Sequence, residues 1–219
     1  MNPIRQITVL FAVVCLGVGH ILAEDHAAPS VSAGAALAKL KAGNARFVTH
    51  AVSAGKPTAA RRAATAQTQH PFAIIVGCSD SRTPPELIFD QNIGDLFVIR
   101  TAGNLVDDFA LGSIEYAVAH LGARLIVVLG HERCGAVKAA VESGSAPGHV
   151  GALVHEIRPA VNAVRGRPGN IVENAVDENC NRVAARIRRK AELGGAASQV
   201  RIVKGRYDLD TGKVAWLAD

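Results

Sequence analysis

Four stretches of the chain are apolar almost without interruption. They are Phe72 to Gly77, "DLFVIR" from Asp95 to Arg100, "RLIVVLG" from Arg124, and "QVRIVKG" from Gln199. Each is short, rich in Val, Ile and Leu, and bounded by Gly, Pro or polar residues, the pattern of a buried strand. Between them the apolar spacing changes to that of a helix. Leu37, Leu40 and Phe47 predict a helix over 33–48, and Ala59 to Gln67 a second. Leu111, Ile114, Ala117, Val118 and Leu121 predict a third from Phe109 to Leu121, which Gly122 stops. Further helices are expected over Gly135 to Glu142, near 151–164 and over 170–192. "DLDTG" turns into "KVAWL", a last strand of a hairpin. The fold class expected is α/β: a mostly parallel sheet with flanking helices and an antiparallel edge hairpin at the C-terminus.

The 219 residues suit one sizeable core, and no repeat or change of composition divides them. Aromatic residues are only 4%, so the core rests on Val, Ile, Leu and Ala. The net charge of +5 does not read as a nucleic-acid footprint, because the basic residues are scattered. Their densest cluster, Arg186, Arg188, Arg189 and Lys190, falls late in a predicted helix, where it complements the helix dipole.

The N-terminus has a single early Arg5, an apolar stretch from Ile7 to Leu22, and Ala23 before Glu24-Asp25-His26. This is a secretory signal pattern over residues 1–23, with cleavage expected after Ala23 and a domain over 24–219. An uncleaved anchor is the competing reading. The stretch is shorter and more interrupted than the ~20 residues a bilayer favours. No stable membrane anchor is therefore expected after cleavage, and the protein is expected to be exported, to a periplasm. Cys15 would leave with the signal. Export makes a disulfide the default for cysteine, yet Cys78, Cys134 and Cys180 cannot all pair within one chain.

Two of the predicted strands end alike. One runs into Gly77-Cys78, the other into Gly130-His131-Glu132-Arg133-Cys134. In an open α/β sheet, ligands sit beyond the carboxyl ends of the strands, so Cys78, His131 and Cys134 are candidates to converge. Two thiolates and an imidazole make a zinc-ligand set, and three protein ligands leave a fourth position for chemistry. A Cys78–Cys134 disulfide without metal remains the alternative. Asp80 and Arg82, two and four residues after Cys78, read as a buried ion pair whose desolvation needs some return.

On "CSDSR" at 78–82, "FVIRTAGN" at 97–104, "SIEYAV" at 113–118 and "GHERCGAV" at 130–137, the chain resembles the β-class carbonic anhydrases from about Leu37 to Leu217. The resemblance implies zinc on Cys78, His131 and Cys134, with Asp80 and Arg82 as a catalytic dyad. It implies reversible hydration of carbon dioxide to bicarbonate through a zinc-bound hydroxide. It also assigns Gln69, Phe97, Ala102 and Tyr116 to a substrate wall completed across a dimer interface. A homodimer or tetramer is then expected. Some family members carry a regulatory bicarbonate site built on an N-terminal tryptophan. The single Trp216 lies at the far end, so no such site is expected, and the dyad is expected in its open arrangement. Two rivals stand beside this reading: a hydrolase of carbonyl sulfide or carbon disulfide on the same scaffold, and a metal-free thiol or disulfide protein. Cys180 falls on the apolar face set by Val172, Val176, Val183 and Ile187, and is expected to be buried, reduced and inert. Glu132 is expected to face solvent. His149 and His155 are open to a proton-shuttle role or to none.

Overall fold

The computed structural model describes residues 31–51, 58–143 and 145–218. The signal-peptide reading of residues 1–23 lies outside them. Helix α1 (Ala33–Val48) and the short α2 (Ala59–Thr65) precede strand β1 (Ala73–Cys78). Then follow α3 (Pro85–Ile88), β2 (Leu96–Thr101), α4 (Asp108–Ala119), β3 (Leu125–His131), α5 (Gly135–Glu142), α6 (Val150–Ala163), α7 (Ile171–Lys190), β4 (Arg201–Tyr207) and β5 (Val214–Leu217). Among the described residues the sheet runs β2-β1-β3-β4-β5, with β5 antiparallel and the rest parallel. The fold class expected from the sequence is the one observed.

The strands bury both faces, which is why their sequences do not alternate. Ile74, Val76, Ile126, Val128 and Ile202 face one core, packed by Ile114 and Val118 of α4 and by Val183 and Ile187 of α7. Ala73, Ile75, Leu125, Val127 and Val203 face the other, packed by Leu37 and Leu40 of α1 and by Ile88 and Phe89. Trp216 belongs to this second layer, stacked 6.2 Å from Phe89.

Most strand boundaries lie one residue further along than the apolar pattern suggests. The ladder continues through Cys78↔Thr101 and His131↔Tyr207. Hydrogen bonding, not hydrophobicity, decides where a strand stops, so the polar candidates are themselves the last strand residues. Helix α3 has only four residues, too few to show a period. Helix α2 ends at Thr65, short of Gln67, and buries none of its residues. The late cluster Arg188, Arg189 and Lys190 occupies the last turn of α7, and Arg186 pairs with Glu156 at 2.8 Å. No helix among the described residues is long and apolar enough to cross a membrane.

Cys180 lies on α7 with no exposed surface, and burial pushes its thiol up to about 12. A Cβ on Gly130 would come within 2.7 Å of the Cys180 sulfur, so this contact between β3 and α7 requires glycine. Cys180→Ala should keep the fold and lower stability by about 1 kcal/mol, the scale of a small core deletion. Thermal unfolding checks this. A Cys180 disulfide in peptide mapping of the unreduced protein would contradict it.

Candidate metal centre

Strands β1 and β3 are neighbours, and the strand order reverses there: β2 lies beyond β1, and β4 beyond β3. That reversal opens a crevice at the carboxyl ends of the two strands. Cys78 ends β1 and His131 ends β3, so the crevice receives both side chains. Cys134 comes back to it within three residues of His131. Such a return needs a sharp turn, and Arg133 makes it with φ +52, a conformation that costs a non-glycine residue roughly 1–2 kcal/mol. Two contacts offset that strain. The Arg133 N–H donates to Glu173 Oε1 at 3.0 Å, and its guanidinium grips both oxygens of Asp210 at 2.8 and 3.0 Å.

The ligand atoms of Cys78, His131 and Cys134 all lie within 4.8 Å of one another, and all three residues are buried. The cysteines among the described residues, Cys78, Cys134 and Cys180, are free. The His131 Nδ1 lies 2.9 Å from the carbonyl of Glu132. A carbonyl only accepts, so Nδ1 carries the proton and Nε2 presents its lone pair. That Nε2 is buried and has no hydrogen-bond partner among the described residues. A buried acceptor with no partner, aimed at two thiols, is an arrangement a cation satisfies.

The electrostatics agree. The neighbouring Cys134 thiol, with help from His131, outweighs burial and draws Cys78 down to about 4. Closeness to Cys78, with burial, pushes Cys134 far up. Two thiols so close ionise one at a time unless a cation takes the place of the shared proton. Burial works to lower the His131 pKa, but the close and negatively charged Cys78 sulfur, with the Asp80 carboxylate, prevails and raises it.

Asp80 stands at the mouth of this cluster, its Oδ2 3.9 Å from His131 Nε2. Arg82 holds it in a fork, Nε to Oδ1 at 2.9 Å and NH2 to Oδ2 at 2.7 Å, and adds its backbone N–H at 2.9 Å. These bonds keep the carboxyl well below the usual carboxylate range. The pair is not buried as the sequence suggested. In the single chain Arg82 is 52% exposed and Asp80 18%, because the turn after β1 carries both to the rim.

Arg100 was not singled out from the sequence. Its Nε donates to the Cys78 carbonyl at 2.8 Å and its NH2 to the Asp80 carbonyl at 2.6 Å, tying the ligand and the carboxylate to one guanidinium. Its signal lay inside "FVIRTAGN", as an arginine ending an apolar strand next to β1. Arg100→Met should weaken binding of a metal ion at the cluster, on the order of tenfold, as lost outer contacts to a metal site do. Metal-dissociation kinetics would check it, and an unchanged off-rate would contradict it.

The remaining candidates separate. Ala102 lies in a short turn after β2, next to Gly103, whose N–H reaches the Cys78 sulfur. Gln69 is exposed and leads into the opposite end of β1. At roughly 3.3 Å per residue, the strand alone puts about 16 Å between Gln69's end and Cys78. Phe97 pairs with Ile74 near that same end, and its ring lies 6.3 Å from that of Tyr116, which is 48% exposed. Within one chain these three residues do not join the Cys-His-Cys cluster. Glu132 is half-buried, its carboxylate near Asp208 and Asp210.

An open α/β sheet with a Cys-His-Cys cluster at its switch point defines a metalloenzyme-type site. Comparison with known proteins gives the family. The family model described as carbonic anhydrase matches residues 73–214. A carbonic anhydrase of Mycolicibacterium smegmatis is 41% identical over 198 residues, 85% of this chain and 94% of that protein. Carbonic anhydrase 2 of Mycobacterium tuberculosis is 41% identical over 196 residues, covering 84% and 93%. Among solved structures, the β-carbonic anhydrase CafA of Aspergillus fumigatus superposes with a TM-score of 0.66 at 27% identity, covering 85% of this chain and 91% of that one. One of two tetrameric β-carbonic anhydrases from Sordaria macrospora gives 0.66 at 25% identity, covering 70% and 84%. The chain belongs to the β-class carbonic anhydrases and is an enzyme of that family.

Proposed function

We propose that this enzyme hydrates carbon dioxide reversibly to bicarbonate and a proton, with zinc held by Cys78, His131 and Cys134. The carrying observation is that these three ligands converge with the forked Asp80–Arg82 pair beside them. The donor set fits zinc: two sulfurs and one imidazole. Zinc, when bound, would supply Lewis acidity there, bringing the pKa of a water down towards about 7 so that hydroxide is available at neutral pH.

The protein's own groups do the rest. Arg82 keeps Asp80 ionised and turned away from the metal position. Asp80 then accepts a hydrogen bond from the nucleophile and orients a lone pair towards the substrate carbon. Thiolates donate more charge than imidazoles, so the acidity of this zinc depends on what surrounds the sulfurs. Attack of hydroxide on carbon dioxide would form one C–O bond as one C=O π bond opens, giving bicarbonate; the next hydroxide would come from water, whose proton leaves to solvent.

The substrate wall is completed by a second copy of the chain, which brings Gln69, Phe97 and Tyr116 to the partner's crevice beside Ala102. In support, β2 is an edge strand, and Phe109, 88% exposed, lies with Tyr116 on the helix beside it. The tetrameric Sordaria relatives also assemble. The N-terminal signal pattern supports export to a periplasm.

Stopped-flow hydration of carbon dioxide by zinc-loaded protein, run beside hydrolysis of carbonyl sulfide and carbon disulfide, tests the reaction. Fast hydration with negligible sulfide release is expected. The reverse ranking would make it a hydrolase of the sulfur analogues.

A further inference from the structure

Asn179 sits in the middle of α7, on the face turned to the core, and is 2% exposed. An amide in such a place is costly unless it is paired. Its Nδ2 donates to the carbonyl of Gly103 at 2.8 Å, 76 residues away along the chain. Gly103 in turn donates its N–H to the sulfur of Cys78 at 3.3 Å, and that bond is buried.

The donating N–H and the accepting carbonyl belong to two peptide groups that meet at the Gly103 Cα. Pinning the carbonyl therefore limits rotation about that Cα and fixes where the N–H points. Gly103 has φ +70 and ψ 24, a left-handed conformation natural to glycine. A Cβ there would lie 2.8 Å from Ile157 Cδ1 on α6. Helix α6 thus crowds one side of the turn, and Asn179 of α7 anchors it by a hydrogen bond. Neither helix carries a ligand, yet together they orient a backbone donor at one.

An N–H aimed at a thiolate withdraws some of the charge that the sulfur would give a metal. Outer contacts of this kind tune metal sites generally. We propose that Asn179 is a positioning residue for the metal centre: through the Gly103 turn it sets the N–H···S bond to Cys78 and so moderates that thiolate's donation to zinc. This rests on the reading of Cys78 as a metal ligand.

The test uses full-length protein labelled with ¹⁵N and loaded with ¹¹³Cd in place of zinc. The ¹¹³Cd resonance is expected in the range of thiolate-ligated cadmium. The Gly103 amide proton is expected to show scalar coupling to the metal across the N–H···S bond. In Asn179→Leu that coupling should vanish or shrink and the ¹¹³Cd resonance should move, with cadmium still bound. Cys180→Ala, on the same helix, should lower the melting temperature but leave both signals in place, which separates loosening of α7 from loss of the amide. Asn179→Ala is read in the same way if the leucine variant does not fold.

Thiolate-bound cadmium without coupling at Gly103 would overturn this proposal and leave the metal reading standing. Cadmium absent from the thiolates would overturn both. Asn179→Leu that melts earlier with coupling and resonance unchanged would make Asn179 merely structural, and would also overturn the proposal.

Discussion

Cys134→Ala should purify without zinc and hydrate carbon dioxide no faster than the uncatalysed background. The variant keeps Cys78 and His131, but a catalytic zinc needs three protein ligands to stay bound. Without the cation nothing at the proposed site would lower the pKa of water, and hydroxide would not be supplied at neutral pH. The fold should survive, because α5 and its neighbours pack through Val137, Ala140, Val154 and Ile157, not through the sulfur alone. His131→Ala should lose zinc and activity in the same way, with one further consequence. It leaves two free sulfurs within 4.8 Å, open to pairing under oxidising conditions. Elemental analysis, a thiol count and stopped-flow assay on both variants check this. Near-normal zinc content and rate in either one would refute its ligand assignment.

Arg82→Ala should give the second large effect, and a different one. Zinc should remain at full occupancy while hydration falls on the order of 10- to 100-fold, the range seen for lost outer contacts to metal sites. The guanidinium makes two of the three bonds that hold Asp80. Once it is gone, the carboxylate, whose Oδ2 lies 3.9 Å from His131 Nε2, is free to turn towards the metal position and compete with water there. The pH dependence follows from the direction of the Asp80 shift. Its folded pKa is depressed, so the pair's contribution is present above the ordinary carboxylate range. It is lost only as the pH falls through the depressed value. In the wild type, an inflection of rate near neutral pH therefore does not belong to Asp80. In Arg82→Ala the carboxyl returns towards its ordinary range, and an added acid limb should appear below it. An unchanged rate would mean that the fork only ties the turn together.

Much of this site is legible in the sequence, for a physical reason. Buried parallel strands announce themselves as apolar runs, and chemistry in such sheets gathers where those runs end. Cys78 and His131 stand at those ends, and Cys134 follows within a turn. What stayed hidden depends on hydrogen bonds between distant segments. Arg100 looks like any charged residue closing a strand until its guanidinium is seen on two carbonyls of the neighbouring turn. Asn179 looks like a polar interruption in a helical face, although its amide serves a carbonyl in another layer. The positive φ of Arg133 has no trace in composition. Burial of the Asp80–Arg82 pair was overestimated because spacing tells which residues are near, not how far the turn lifts them to the rim. Gln69, Phe97 and Tyr116 lie apart from the cluster within one chain, and only the proposed second copy would bring them to it.

The central claim is that Cys78, His131 and Cys134 hold a zinc ion, and metal content measures it most directly. Protein purified without added metal or chelator, analysed for elements and for free thiols in one preparation, should contain one zinc per chain. After denaturation with chelator it should show free thiols at Cys78, Cys134 and Cys180. Metal-free protein with Cys78 disulfide-bonded to Cys134 would contradict the account.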